Sequence, residues 1–299
     1  MTGLTTVERK AELLKVGLLG TGLMGQPMAM QLQKHGFDVV AWNRSPEKLA
    51  PLQQAGIEIA SQPEDAIAAA DITITMLSDA AAITAAVLAN PAALSGKTIL
   101  QMGTIAPAES RDLQAQIVAA GGDYLESPVL GSIPQVKAGS LILMVGASAK
   151  QFEQWLPILK CFGPEPELMG EVGTAAATKL AMNQLIGSLT AAFSMSLALA
   201  KKEGLDLEKF MTIVRESALY APTFDKKLAR MCDRNFANPN FPTKHLLKDM
   251  NLFVQAAENQ SIDATVAAGV SQIAQKAIDQ GLANEDYSAI YNAVHPAED

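Results

Sequence analysis

The chain has 299 residues, 49% of them hydrophobic but only 5% aromatic, and a formal net charge of −8. That length holds one large or two ordinary domains, and the negative balance argues against a nucleic-acid surface as the main business of the chain. Its two cysteines, Cys161 and Cys232, lie far apart and match no metal or redox spacing, so we expect buried thiols, a reducing cytoplasmic setting and no metal site.

Taken in chain order, residues 1–14 are polar and charged, lack the apolar core of a signal peptide and read as an N-terminal extension. A β-rich run at Lys15–Leu19 then enters Gly20, Gly22 and Gly25 at GxGxxG spacing, and a helix-period segment follows over Met24–His35. Each glycine answers a separate demand of a dinucleotide-binding turn. Gly20 permits the tight turn, Gly22 lets the backbone approach a pyrophosphate, and Gly25 lets helix and strand pack closely. The loop, with Leu23 and Met24 inside it, is therefore the leading cofactor-binding candidate, and the new helix would hold phosphates at its N-terminus.

The second strand, Asp38–Trp42, runs into Asn43-Arg44-Ser45-Pro46. NAD sites place an acidic residue here for the ribose hydroxyls. This chain has none; a guanidinium at Arg44 suits a 2′-phosphate, which favours NADP(H), with NAD(H) as the alternative. Ser45-Pro46 also reads as an N-cap and first helical position for a helix over Pro46–Ala55. Further strands are expected at Ile57–Ile59, Ile72–Met76, Thr98–Gln101, Asp123–Glu126 and Leu141–Val145, with helices at Pro63–Ala69 and Pro107–Ala119. Strands alternating with helices of this length predict βαβ units on a parallel sheet.

After Gly173 the strand signal disappears. A long helix is expected from Thr174, as its N-cap, to about Lys201, followed by Asp206–Glu216, Thr223–Met231, His245–Gln260, Ala264–Gln280 and Tyr287–Ala293. The apolar stretch Ala191 to Ala200 is broken by Ser194 and Ser196 and falls short of a membrane span. The fold class is thus α/β: a doubly wound Rossmann domain over residues 15–173, and an all-α substrate and dimerisation domain over 174–299, joined through the long helix.

Hydride transfer to a carbonyl needs a proton donor beside the developing alkoxide. Of the three histidines, His35 reads as a helix C-cap and His295 lies in the tail. Lys179 is the better candidate. It sits among alanines on the early turns of the long helix, where a lysine is costly to bury, and Asn183 points the same way four residues on. Partial desolvation beside a cationic cofactor would make such an ammonium a usable acid.

The ordered set of Gly20–Gly25, a loop ending in Thr104, Lys179 with Asn183, and Lys248-Asp249 resembles the β-hydroxyacid dehydrogenases. Asn43-Arg44 and Phe241-Pro242-Thr-Lys-His-Leu-Leu-Lys248-Asp249-Met250 are most similar to its glyoxylate/succinic semialdehyde reductase branch. The resemblance implies Lys179 as general acid and Asn183 as a substrate hydrogen-bonder. It also implies Thr104 on substrate and nicotinamide ribose, Lys248 closing over the cofactor, and Asp249 and Phe241 in the substrate pocket. Met76, Leu77 and Ser78 would run along the cofactor, while His245 would pack nearby without donating a proton. Two departures stand out: Gln101-Met102-Gly103-Thr104 replaces Asp-Met-Ser-Thr, and Pro128-Val129-Leu130-Gly131-Ser132 replaces Pro-Val-Ser-Gly-Gly or Pro-Val-Ser-Gly-Ser. Each loses a serine hydroxyl near the expected substrate carboxylate, leaving the backbone N–H groups of Val129, Leu130, Gly131 and Ser132 to hold it.

The implied activity is NADPH-dependent reduction of a small carboxylate-bearing aldehyde by a homodimer or homotetramer, with its active site in an interdomain cleft. The alternatives are an NAD(P)-dependent 3-hydroxy acid dehydrogenase and a non-catalytic NADP-binding module.

Overall fold

The computed structural model describes residues 14–297; apart from Leu14, the expected N-terminal extension lies outside the described residues. The chain divides into two compact units at a point inside one long helix, after Lys179.

The first unit is built on strands β1 (Lys15–Leu19), β2 (Asp38–Trp42), β3 (Glu58–Ile59), β4 (Ile72–Thr75), β5 (Thr98–Gln101) and β6 (Asp123–Glu126), followed by β7 (Val129–Leu130), β8 (Ile142–Gly146) and β9 (Glu167–Gly170). Helices α1 (Gly25–Lys34), α2 (Ala50–Gln54), α3 (Pro63–Ala69), α4 (Ala80–Val87), α5 (Pro107–Ala119), α6 (Ile133–Ala138) and α7 (Ala149–Leu159) connect them. The strand order is β3-β2-β1-β4-β5-β6-β8-β7, with β9 on β8. Val16, Leu18 and Val39 pack with Met28 and Leu32 of α1 on one face. Leu19, Val40, Ile99 and Tyr124 pack with Ile67, Ile83 and Leu113 on the other. A sheet buried on both faces needs near-continuous apolar strands, which is why these runs read as β in the sequence.

The first six strands are parallel, as the alternating pattern predicts. The sheet then departs from that pattern, because β8 runs antiparallel to β6 and to β7. In register, Leu19 faces Trp42 and Thr75, Thr75 faces Gln101, and Gln101 faces Glu126. Five neighbouring strands therefore end side by side, and the loops after them leave from one edge. The strand order reverses between β1 and β4, the position where doubly wound sheets open a ligand crevice at their carboxyl ends.

Helix α8 (Thr174–Lys202) crosses the division between the units. The second unit continues with α9 (Leu207–Glu216), α10 (Pro222–Asp233), α11 (Thr243–Glu258), α12 (Thr265–Ala277) and α13 (Ile290–Val294). Leu246 and Met250 of α11 meet Ala191 of α8 and Val270 and Ala274 of α12 in one cluster. Phe193, Leu197, Met211, Phe224 and Met231 form a second, with the Phe193 and Phe224 rings stacked at 4.6 Å. Gly187 lets α11 approach α8 closely, since a Cβ there would stand 2.9 Å from Met250 Sδ.

Some boundaries differ from expectation. The helix expected over Ala264–Gln280 ends at Ala277, and a π turn follows in which Gly281 takes φ +84°. The segment Tyr287–Ala293 divides into a 3₁₀ turn, Tyr287–Ala289, and α13. Among the described residues, no helix is long and apolar enough to cross a membrane.

Candidate active site

The glycine loop leaves β1 with all three glycines under distinct constraints. Gly20 adopts φ +99°, its N–H donates to Trp42 O at 2.9 Å, and a Cβ would lie 2.4 Å from Met76 O. A Cβ on Gly25 would lie 1.8 Å from Gly20 O, so the start of α1 rests directly on the turn. Gly22 is exposed, and a Cβ there would meet nothing within 4 Å. Nothing among the described residues sterically requires glycine there. Thr21 Oγ1 beside it is buried without a hydrogen-bond partner, and Leu23 is half exposed at the loop's rim. The residues present fit a dinucleotide: an open approach, backbone amides at a helix start, and an unused hydroxyl.

At the end of β2, Asn43 acts as a strut. Its Oδ1 accepts from Thr21 N–H at 3.0 Å and its Nδ2 donates to Ser45 O at 2.9 Å, tying the glycine loop to the next turn. Arg44 is exposed beside it. Ser45 and Pro46 stand at the expected cap and first helical positions, but the Ser45 side chain makes no cap bond and the first turn is 3₁₀. After β4, Met76 and Leu77 are half-buried, while exposed Ser78 donates to Asp79, the N-cap of α4.

The two loops that depart from the family pattern have physical reasons for doing so. A Cβ on Gly103 would stand 2.8 Å from Leu77 O and 3.3 Å from Gln101 Oε1. Gln101 Nε2 donates to Gly103 O at 3.2 Å, so the longer Gln101 and the bare Gly103 fit as a pair. Thr104 follows, half-buried. Half-buried Leu130 is held in β7 opposite Ile142, and Gly131 takes φ +134° with a Cβ position 2.6 Å from Leu141 Cδ2. Ser132 gives both its hydroxyl and its N–H to Gln135 Oε1, at 2.8 and 3.0 Å, in the capping box of α6.

On α8, Lys179 is 9% exposed and Asn183, on the same helix face one turn later, is 3% exposed. Within the second unit, Asn183 Nδ2 donates to Asp249 Oδ2 at 2.6 Å. The other Asp249 oxygen lies 3.1 Å from Lys248 Nζ, an ion pair lacking hydrogen-bond geometry. Phe241 stacks on His245 with ring centres 6.2 Å apart and meets Tyr287 edge-on at 5.6 Å. Burial, then the Lys248 charge, pushes the His245 imidazole below its ordinary value against the pull of Asp249. Its ring packs against Phe241. His35 is the C-cap of α1, with Nδ1 2.8 Å from Gln31 O.

Thr174 is not the N-cap of α8. It is the first helical residue, and its hydroxyl donates to Glu171 O at 2.7 Å. The Thr174 amide donates to Glu171 O, while those of Gly173, Ala175 and Ala176 go to Glu126, a fully buried carboxylate that the sequence did not mark, because its partners are 47 to 50 residues away.

A family described as the NAD binding domain of 6-phosphogluconate dehydrogenase matches residues 15–173, and one described as the NAD-binding region of NADP-dependent 3-hydroxyisobutyrate dehydrogenase matches 173–294. The chain belongs to the 3-hydroxyisobutyrate dehydrogenase family. Members are NAD(P)-dependent oxidoreductases acting on CH–OH groups, and this chain is one of them. It is 36% identical to the chloroplastic glyoxylate/succinic semialdehyde reductase 2 of Arabidopsis thaliana, covering 98% of this chain and 84% of that protein. It is 34% identical to glyoxylate/succinic semialdehyde reductase 1 of the same plant, over 94% of this chain and 98% of the relative. The fold matches 3-hydroxyisobutyrate dehydrogenase of Mycobacterium tuberculosis with a TM-score of 0.85 at 22% identity, over 94% and 99% of the two chains.

Proposed function

We propose that this dehydrogenase-family member reduces a small carboxylate-bearing aldehyde, of the glyoxylate or succinic semialdehyde type, with NADPH, and that Lys179 supplies the proton. The observation that carries the reading is a nearly buried lysine, Lys179, one helical turn before Asn183, whose amide is fixed by Asp249. A lysine is rarely buried without a paired group or a task. When bound, the nicotinamide supplies the hydride. Gly20, Gly22 and Gly25 then hold the pyrophosphate against backbone amides, Arg44 pairs with the 2′-phosphate, and Lys248 closes over the cofactor. Thr104, Asn183, Asp249 and Phe241 orient the substrate, the backbone of Leu130, Gly131 and Ser132 takes its carboxylate, and Lys179 Nζ protonates the oxygen as the alkoxide develops.

Substitution of Lys179 by Ala should lower kcat by about two to four orders of magnitude, the range for a lost general acid. Stopped-flow NADPH consumption with succinic semialdehyde measures it, and wild-type turnover would remove the lysine from the chemistry. A second reading, oxidation of a 3-hydroxy acid, is favoured by the family match over residues 173–294. Steady-state kinetics in both directions with both cofactors separates the two. The reading includes a homo-oligomer built through α8 and a cytoplasmic setting. The latter is supported by two free thiols, of which Cys161 is pushed up to about 12 by burial and kept unreactive.

A further inference from the structure

Helix α8 begins in an unusual way. Its first turn carries no local capping side chain; the free amides point at the last residue of β6. Glu126 Oε1 accepts from Gly173 N–H at 2.8 Å and from Ala175 and Ala176 N–H at 3.0 Å each. Those are the N-cap, N2 and N3 positions, three of the donors every helix leaves unsatisfied. Glu126 Oε2 accepts from the Ser110 hydroxyl, which lies 2.8 Å from Tyr124 Oη, so the carboxylate is held on both sides and is fully buried.

The surroundings leave it no freedom. Gly146, opposite on β8, must be glycine because a Cβ there would come 2.5 Å from Glu126 Oε1. Gly173 takes φ +98°, and the Arg111 guanidinium fills the place of its Cβ at 2.6 Å. Glycine at both positions leaves the room that the Glu126 carboxylate and the Arg111 guanidinium occupy.

We propose that Glu126 is the positioning residue for Lys179. Lys179 lies five residues beyond Thr174, about 7.5 Å along the helix axis. A carboxylate anchored in the sheet, gripping three consecutive-turn amides through charge-assisted bonds, fixes both the rise and the rotation of that first stretch of α8. It thereby sets where the lysine ammonium stands relative to the carboxyl edge of the sheet from which Glu126 itself projects. A misplacement of about 1 Å in a proton donor costs up to about a hundredfold in rate, so the cap acts on turnover rather than on cofactor binding. The inference rests on Lys179 being the proton donor.

The test uses the full-length enzyme with NADPH and succinic semialdehyde. Glu126→Ala removes the grip; kcat should fall ten- to a hundredfold while the NADPH Kd, read by fluorescence, stays within about twofold. Glu126→Gln keeps an acceptor oxygen in place and should bring kcat back to within about threefold of wild type. Where the alanine variant does not fold, Glu126→Asp replaces it, since retraction by one methylene, about 1.5 Å, leaves the charge but breaks the grip. The expected result for it is the same tenfold or larger fall in kcat at constant Kd. Wild-type kcat in either the Ala or the Asp variant, or a loss that the glutamine does not recover, would overturn the proposal. Lys179→Met runs alongside: full activity there would sink the general-acid reading and the positioning role with it. A dead Lys179→Met beside an unaffected Glu126→Asp would refute the positioning role alone.

Discussion

At the scale of single residues, the exposed Arg44 beside the Asn43 strut is the group we propose to decide cofactor choice. Asn43 spends its amide on Thr21 and Ser45, so the guanidinium is the charged group presented where NAD sites carry an acid. Arg44→Glu deletes a phosphate partner and adds a like charge. Loss of such a charged hydrogen bond costs about 1.5–3 kcal/mol, at least roughly tenfold in affinity. Titration should show NADPH binding weakened by that much and NADH binding nearly unchanged; equal losses for both would take Arg44 away from the 2′-phosphate. The glycines, Arg44 and Lys179 stand out as candidates because each breaks a local rule that sequence displays: clustered glycine, a missing acid, a lysine among alanines. Glu126 was not, since an acid ending a buried strand looks ordinary until its distant partners are known. Nor could sequence tell that Gly103 is bare because Leu77 O and Gln101 crowd it.

At the scale of elements, the β1–loop–α1 unit separates folding from binding. An added Cβ at Gly25 strikes the Gly20 carbonyl and cannot rotate away, so Gly25→Ala should destabilise by about 1–3 kcal/mol or more, seen as a lower urea midpoint. At Gly22 nothing stands within 4 Å, and Gly22→Ala should leave stability within about 0.5 kcal/mol. The same methyl occupies the pyrophosphate's approach, so NADPH affinity should drop at least tenfold. A stable Gly25→Ala, or a Gly22→Ala that binds normally, would contradict this division of labour. Strands β1, β2, β5 and β6 lie where their apolar runs predict, because burial on both faces leaves no other pattern. The strands β7 and β9 escaped notice for opposite reasons. The first is two residues long between Pro128 and Gly131, and the second alternates exposed and half-buried positions at the far side of β8. The antiparallel course of β8 depends on its partners, which no single strand records.

At the scale of the whole molecule, α8 presents Leu185, Leu189, Met195 and Leu199 to solvent, at 51%, 37%, 53% and 64% exposure, along one stripe of about 21 Å. Large apolar residues on one face are the surface through which the proposed homo-oligomer would form, a second copy of the chain offering the same stripe. Light scattering at micromolar concentration should give at least twice the protomer mass, and Leu185→Lys combined with Leu199→Lys should reduce it. A wild-type particle of protomer mass would end the assembly reading. The compact units divide after Lys179, whereas the sequence places a boundary after Gly173, where the strand signal disappears and the two recognised families abut. Physically it is a poor place to cut. A fragment opening at Thr174 would begin on amides stripped of their acceptor, and its complement would keep a buried carboxylate that has lost the Ala175 and Ala176 donors. Exchange of helical halves between relatives at this seam therefore requires a first half that brings an acid where Glu126 stands.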